Sequence, residues 1–234
     1  MDLAANLENI RQRIVAACHR AGRAPDSVRL LAVTKSQPPE LVVEAAKLGL
    51  ALFGENKVQE LVGKKERLPA DIRWHMVGHL QRNKVKFIAP FIHLIHSVDS
   101  VALLNEIDRQ GGKINRLISC LLQVHIAEEE TKFGFDDNEI TQLIKSEELH
   151  NLKNIRVMGL MGMATFTDDH DLVRREFATL KKIFDVLKSQ ERPANLKMEY
   201  LSMGMSGDYI VALEEGSNMV RIGTAIFGER DYHV

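Results

Sequence analysis

The sequence predicts an α/β fold of one kind, a closed (β/α)8 TIM barrel with an extra helix in front of it, and three observations carry that prediction. Eight short apolar or β-branched runs alternate with helical stretches along 234 residues. Most of the runs are almost continuously apolar, as strands are when both faces are covered. No GxGxxG follows the first run, so an open sheet of the dinucleotide-binding type lacks its fingerprint. With no low-complexity linker and no visible repeat, residues 1–234 read as one domain.

The elements follow in order. Leu3, Leu7, Ile10, Ile14 and Cys18 recur at three- and four-residue steps, the signature of one helix face. Asp2 suits its N-cap and Gly22 its stop. The strands are expected at Arg29–Val33, Leu50–Phe53, Ile72–Val77, Leu94–Ser97, Leu117–Ile126, Ile155–Met161, Met198–Ser202 and Met219–Ile222. Helices are expected to begin near Pro39, Glu55, Gln81, Ser100, Asp137, Asp171 and Gly207.

Composition sets the function classes aside. The 31 basic and 32 acidic side chains leave a formal charge of −1, with no concentrated basic face for nucleic acid. No apolar stretch is long enough for a bilayer span, and the first residues lack a secretory pattern, so no membrane partner is expected. Cys18 and Cys120 show no CxxC spacing, which points to reduced thiols and a cytoplasmic protein.

In such a barrel the strand C-termini form the active face, so residues just past each strand are the candidates. Lys35 stands there after the first strand, before the turn of Pro38 and Pro39. Asn56, in "FGENKVQEL", is its counterpart after the second, with Glu55 placed to complement a helix dipole. His75 and His79 are four apart, but Gly78 stands between them, so a shared metal is disfavoured. His75 reads as a buried, hydrogen-bonded side chain instead.

The last two strands end in anion-binding chemistry. In "SMGMSGDYIVALEEG", Ser206 is a natural N-cap for a helix whose free amides could hold a phosphate. In "MVRIGTAIFGERDY", Arg221 lies inside an apolar strand and must meet an acid, a ligand or water, while Gly223 and Thr224 offer an amide and a hydroxyl. Barrel enzymes often bind phosphate between these two loops. A lysine, an arginine and a phosphate cup together suit pyridoxal 5′-phosphate (PLP), whose aldehyde condenses with lysine amines. A sugar-phosphate isomerase or aldolase uses similar elements and is the competing reading.

The stretches "LLAVTK", "FGENKVQE", "WHMVGHLQRNK", "GLMGMA", "LSMGMSGDY" and "VRIGTAIFG", in that order from residue 30 to residue 228, give the chain a resemblance to the YggS/PROSC family of PLP-binding homeostasis proteins. Its fold is similar to the barrel domain of alanine racemase. The resemblance implies that Lys35 forms the internal aldimine, that Asn56 lies beside the cofactor and that Arg221 faces the pyridine nitrogen. It places Ser206, Gly223 and Thr224 on the phosphate and Met203 and Met163 near the ring. Thr34 stands where many members carry serine, which keeps the hydroxyl.

Function follows from what surrounds the ring. An arginine at the pyridine nitrogen disfavours its protonation and weakens the electron sink that racemisation needs. Racemases resembling this chain also use a tyrosine from a second domain, which a chain ending at Val234 is expected to lack; Tyr200, Tyr209 and Tyr232 do not map onto it. The expected function is therefore PLP homeostasis, a non-catalytic carrier that holds PLP and delivers it to PLP-dependent apoenzymes, working as a monomer. The alternatives are a racemase-like PLP enzyme completed by a partner and a PLP-independent sugar-phosphate enzyme. Lys84 and Lys132 are further lysines that could accept PLP secondarily, though nothing in the sequence requires it.

Overall fold

A computed structural model describes residues 2–128, 133–191 and 193–228. Lys132 and Tyr232 lie outside these residues. Eight parallel strands close on themselves in sequence order. They are β1 (Arg29–Val33), β2 (Leu52–Glu55), β3 (Arg73–Met76), β4 (Leu94–Val98), β5 (Ile118–Gln123), β6 (Ile155–Met161), β7 (Leu196–Ser202) and β8 (Met219–Ile222). The helices are α1 (Leu3–Arg20), α2 (Pro39–Lys47), α3 (Val58–Arg67), α4 (Val85–Ile88), α5 (Val101–Lys113), α6 (Asp137–Lys145), α7 (Glu147–Asn151), α8 (His170–Ser189), α9 (Tyr209–Glu214) and α10 (Thr224–Phe227).

The expected (β/α)8 barrel is therefore present, and β1, β6 and β8 have the expected limits. α1 is the extra helix. The Asp2 side chain accepts from the Ala5 amide at its N-terminus, and its buried face of Leu3, Leu7, Ile10, Ile14 and Cys18 is the periodic set read from the sequence. It packs against α9 and α10 and so covers the outside of the barrel near β8.

Alternation divides the strand side chains into two layers. Outward-facing residues such as Ala32, Phe53, Trp74, Ile95 and Val220 join the helices in one large apolar core. Inside the barrel, Leu94, Leu121, Met158, Met161 and Met219 form a separate plug, with Tyr200 and Met163 packed against it. Glycine is required where β6 and β7 touch: Gly159 has φ +147°, and a Cβ there would overlap the Tyr200 carbonyl.

Three local expectations change. β2 runs two residues further than expected and ends on Glu55, so Glu55 is a buried strand residue and not the first turn of a helix; α3 starts at Val58. The segment after β3 forms a 3-10 turn, Arg82–Lys84, before the single turn of α4. The helix after β7 starts at Tyr209, with Asp208 as its N-cap, so Ser206 is not its cap.

Candidate functional site

The C-terminal mouth is built around Lys35. β1 stops at Val33, and the next residue, Thr34, is fully buried. Its amide donates to the Gly54 carbonyl at 2.9 Å and its hydroxyl to Glu55 Oε1 at 2.5 Å. Lys64 Nζ, reaching in from α3, donates to the Thr34 carbonyl, Glu55 Oε1 and Glu60 Oε1, each at 2.7 Å. Three acceptors use all three ammonium donors. On the other side of Lys35, the Ser36 amide donates to Glu60 Oε1 at 2.6 Å, and Ser36 takes a positive φ of 63°. One ionic cluster thus fixes the backbone on both flanks of Lys35, which is itself half-buried.

Burial pushes the Glu55 carboxyl up to about 7, against the pull of Lys64 and the Thr34 hydroxyl. The Glu55–Lys64 pair is inaccessible to water, with side chains 0% and 5% exposed. Sequence reading missed this cluster. Its signal was present: Glu60 and Lys64 stand four apart on α3, and Glu55 directly follows the run Leu52, Phe53 and Gly54.

The neighbouring strands bring the other expected residues close. Asn56 follows β2, half-buried beside the β1 end. Gly78 sits against it so tightly that a Cβ would overlap the Asn56 carbonyl. Across the other edge of β1, Leu31 pairs with Arg221 and Ala32 with Ile222, and a Cβ on Gly223 would stand 3.1 Å from the Val33 carbonyl. The loop after β7 reaches the same place. Ser206 Oγ accepts from the Gly223 and Ala225 amides, both at 3.3 Å. Ser206 therefore caps the turn after β8 rather than its own helix. Lys35, Asn56, Ser206, Gly223 and Thr224 all lie at this end, Thr224 exposed at the start of α10.

Arg221 lies deeper, 4% exposed, and its partner is not an acid. Its guanidinium donates to the Ser202 carbonyl and Ser202 Oγ, both at 2.8 Å, and to the Gly162 carbonyl at 3.0 Å. Burial lowers it to about 10, opposed by the Asp208 carboxylate, so it stays a cation at neutral pH. Met203 is placed differently from its expected role. Ser202 points inward, so Met203 faces outward and is fully buried in the core between sheet and helices. Met163 packs instead against the apolar plug inside the barrel.

The residues fit a phosphorylated aldehyde: an amine on a fixed backbone, a cation with no carboxylate contact among the described residues, and a hydroxyl joined to two amides. A cleft of about 940 Å³ lies to one side between the loops after β3 and β4, and none of these residues lines it. It is broad and rimmed by His79, Gln81, Arg82, Asp99 and Arg109, a solvated face. His79 pairs with Asp99 at 3.0 Å and stacks on Phe133. Among the described residues no group of three or more His, Cys, Asp or Glu side chains is arranged to hold a metal ion, and no helix is long and apolar enough to cross a membrane.

A closed barrel with a lysine after β1, and with the Ser206 hydroxyl joined to the Gly223 and Ala225 amides after β7 and β8, defines the class. Residues 5–231 match the alanine racemase N-terminal domain, and the chain belongs to that family. More narrowly, it belongs with the pyridoxal phosphate homeostasis proteins. The protein of that name from Aquifex aeolicus is 40% identical over 233 residues, covering 99% of this chain and 100% of the relative. The one from Escherichia coli is 35% identical over 240 residues, covering 99% and 98%.

PipY of Synechococcus elongatus, solved with PLP bound, superposes with a TM-score of 0.82 at 32% identity, over 97% of this chain and 100% of that one. An alanine racemase from Clostridium difficile has a TM-score of 0.69 at 17% identity, over 95% of this chain and 56% of that one. That is a likeness of fold.

Proposed function

We propose that this protein binds PLP at the C-terminal mouth and serves PLP homeostasis, holding the cofactor and releasing it to apoenzymes in the cytoplasm. The observation that carries the reading is the meeting of Lys35, Arg221 and the Ser206–Gly223–Ala225 cluster at one end of one barrel. The PLP-bound PipY structure and the naming of the relatives support it. When bound, PLP supplies an aldehyde that condenses reversibly with primary amines.

The chain's own residues would do the holding. Lys35 presents its amine from a backbone pinned by Glu55, Glu60 and Lys64. Ser206 and the Gly223 and Ala225 amides take the phosphate, with Thr224 at the rim, and Asn56 lines the side. Arg221 offers a cation where a carboxylate would be needed to keep a pyridine nitrogen protonated. Met163, inside the barrel, is better placed than Met203 to meet the ring.

The same geometry favours a carrier over a racemase. Tyr200 lies towards the N-terminal end of the barrel, and Tyr209 is buried in the outer core beneath Arg13. Among the described residues no tyrosine faces Lys35 across the mouth.

The test is the visible absorbance of the purified protein and of Lys35→Ala, each before and after borohydride reduction. A yellow wild type with the cofactor fixed covalently by reduction, beside a variant without it, is the expected result. A wild type that stays colourless after incubation with PLP would send the mouth back to sugar phosphates. Transfer of PLP to an apoenzyme without amino-acid turnover then separates carrier from enzyme. Sedimentation tests the accompanying proposal of a monomer.

A further inference from the structure

The barrel has a second opening at the N-terminal ends of its strands, an end where residues ordinarily serve stability. Here it is a cavity of about 360 Å³. Its rim carries Arg29 from β1, Arg73 from β3 and Arg156 from β6, with His93, Ser119 and Tyr200. Among the described residues no carboxylate lines it. Among the described residues none of these three arginines makes an ion pair; Arg29 lies over the Tyr200 ring at 4.8 Å. Three like charges facing one opening repel one another and add nothing to folding by themselves.

The floor supplies an independent observation. His75 lines the cavity, is 1% exposed, and its Nε2 has no hydrogen-bond partner among the described residues. Its other nitrogen is spoken for. His75 Nδ1 lies 2.9 Å from His96 Nε2, and His96 Nδ1 lies 3.1 Å from Ser202 Oγ. Ser202 Oγ in turn accepts from Arg221 at 2.8 Å.

The polarity of this chain can be assigned. Arg221 has donors only, so Ser202 Oγ must accept from it. The Ser202 hydroxyl is fully buried, and its proton has His96 Nδ1 as its acceptor. His96 then carries its proton on Nε2 and donates it to His75 Nδ1. That leaves His75 with an N–H on Nε2, a buried donor turned away from His96 with nothing to receive its proton. The reverse polarity would strand the Ser202 hydroxyl proton in the barrel interior.

We propose that the N-terminal mouth of the barrel is a second binding site, for a doubly charged phosphate-class oxyanion held by Arg29, Arg73 and Arg156 over the His75 Nε2–H. The anion would take up the unused donor and neutralise the arginine cluster together. Burial holds both His75 and His96 neutral, His75 down to about 3, so the donor at the floor is the neutral imidazole N–H. Arg73 and Arg29 line the same opening as His75 and His93. The chain from Arg221 to His75 spans the barrel, so the tautomer at one mouth is set by a residue at the other.

Isothermal titration with inorganic phosphate and with glycerol 3-phosphate tests the site, together with long-range ¹H–¹⁵N spectra of the histidine side chains. Both are run with saturating PLP and again without it, so the result stands whether or not the cofactor reading holds. Saturable binding that shifts the His75 Nε2 resonance, and that weakens about tenfold in Arg73→Ala and in Arg156→Ala, is expected. Both arginines are exposed, so an unchanged melting temperature shows that the variants are folded. Tighter binding of the ester assigns the site to a phosphorylated metabolite and equal binding to the free ion; either upholds it. No saturation, or binding indifferent to both substitutions, overturns it.

Discussion

Lys64 Nζ and Glu55 Oε1 meet at 2.7 Å in a part of the barrel wall that water does not reach, and the residue they enclose is Thr34, the immediate neighbour of Lys35. The pair is therefore placed to hold a loop in position more than to add stability. A buried ion pair repays its desolvation only through such complete hydrogen bonding. Lys64→Met leaves the buried Glu55 without its cation, so the side chain must take up a proton or bear an unpaired charge. It should cost about 3–5 kcal/mol of folding free energy in urea titrations. Glu55→Gln in the Lys64→Met background should recover part of that loss, and its failure to do so would show that the two side chains are not coupled.

The pH dependence of stability has a defined sign. His75 and His96 are held neutral first by burial, His75 down to about 3, whereas the same groups in the unfolded chain protonate near 6.5. Their contribution is complete above about pH 6.5 and is lost as pH falls, because the unfolded state then binds the extra protons. Each group adds a slope of at most about 1.4 kcal/mol per pH unit. Glu55 acts the other way. Its carboxyl, raised to about 7 from 4.5, binds more protons in the folded state, so its share of stability falls as pH rises through that window. His75→Gln should flatten the slope between pH 6.5 and 5 by about 1.4 kcal/mol per unit. Parallel curves for wild type and variant would mean that His75 protonates in the folded protein.

Much of this was legible from residue order. Strand runs such as "RLLAV" and "IRVMGLM" are apolar and bounded, so the barrel and the position of Lys35 followed from alternation. What was hidden depends on pairing between distant residues. Glu55 before Asn56 resembles a helix start because a lone acid there is common, and nothing local reveals that Lys64 turns inward. Ser206 resembles the cap of its own helix, while its partners come from the next strand's turn. Met203 looked like a mouth residue until the inward turn of Ser202 fixed the alternation. His75 and His96 sit on different strands, so a chain between them appears only when the barrel closes.

Ser206 links two loops through one oxygen. With Gly223 and Ala225 amides both at 3.3 Å, the contacts are long, and the amides are available to a stronger acceptor. Ser206→Ala removes a hydroxyl from the proposed phosphate cluster while leaving Lys35 untouched. PLP affinity should fall about tenfold or more, the usual worth of a hydrogen bond to a charged group. Reduction with borohydride should still fix cofactor on Lys35 at high PLP concentration. An unaltered dissociation constant would remove Ser206 from the site.

Gly78 decides whether the loop after β3 can lie against Asn56. A Cβ at position 78 would overlap the Asn56 carbonyl and crowd its Cα at 2.8 Å, and both are backbone atoms that no rotamer change can move aside. Gly78→Ala must therefore push two chain segments apart at the rim of the mouth. Overpacking of this kind costs about 1–3 kcal/mol. The displaced residue is Asn56, next to the Lys35 turn, so the substitution should lower both the melting temperature and PLP affinity. Gly63→Ala is the control: it lies on α3, and a Cβ there meets nothing within 4 Å. If Gly78→Ala and Gly63→Ala bind PLP alike, the loop after β3 can move without disturbing Asn56, and that residue's place beside the cofactor loses its support.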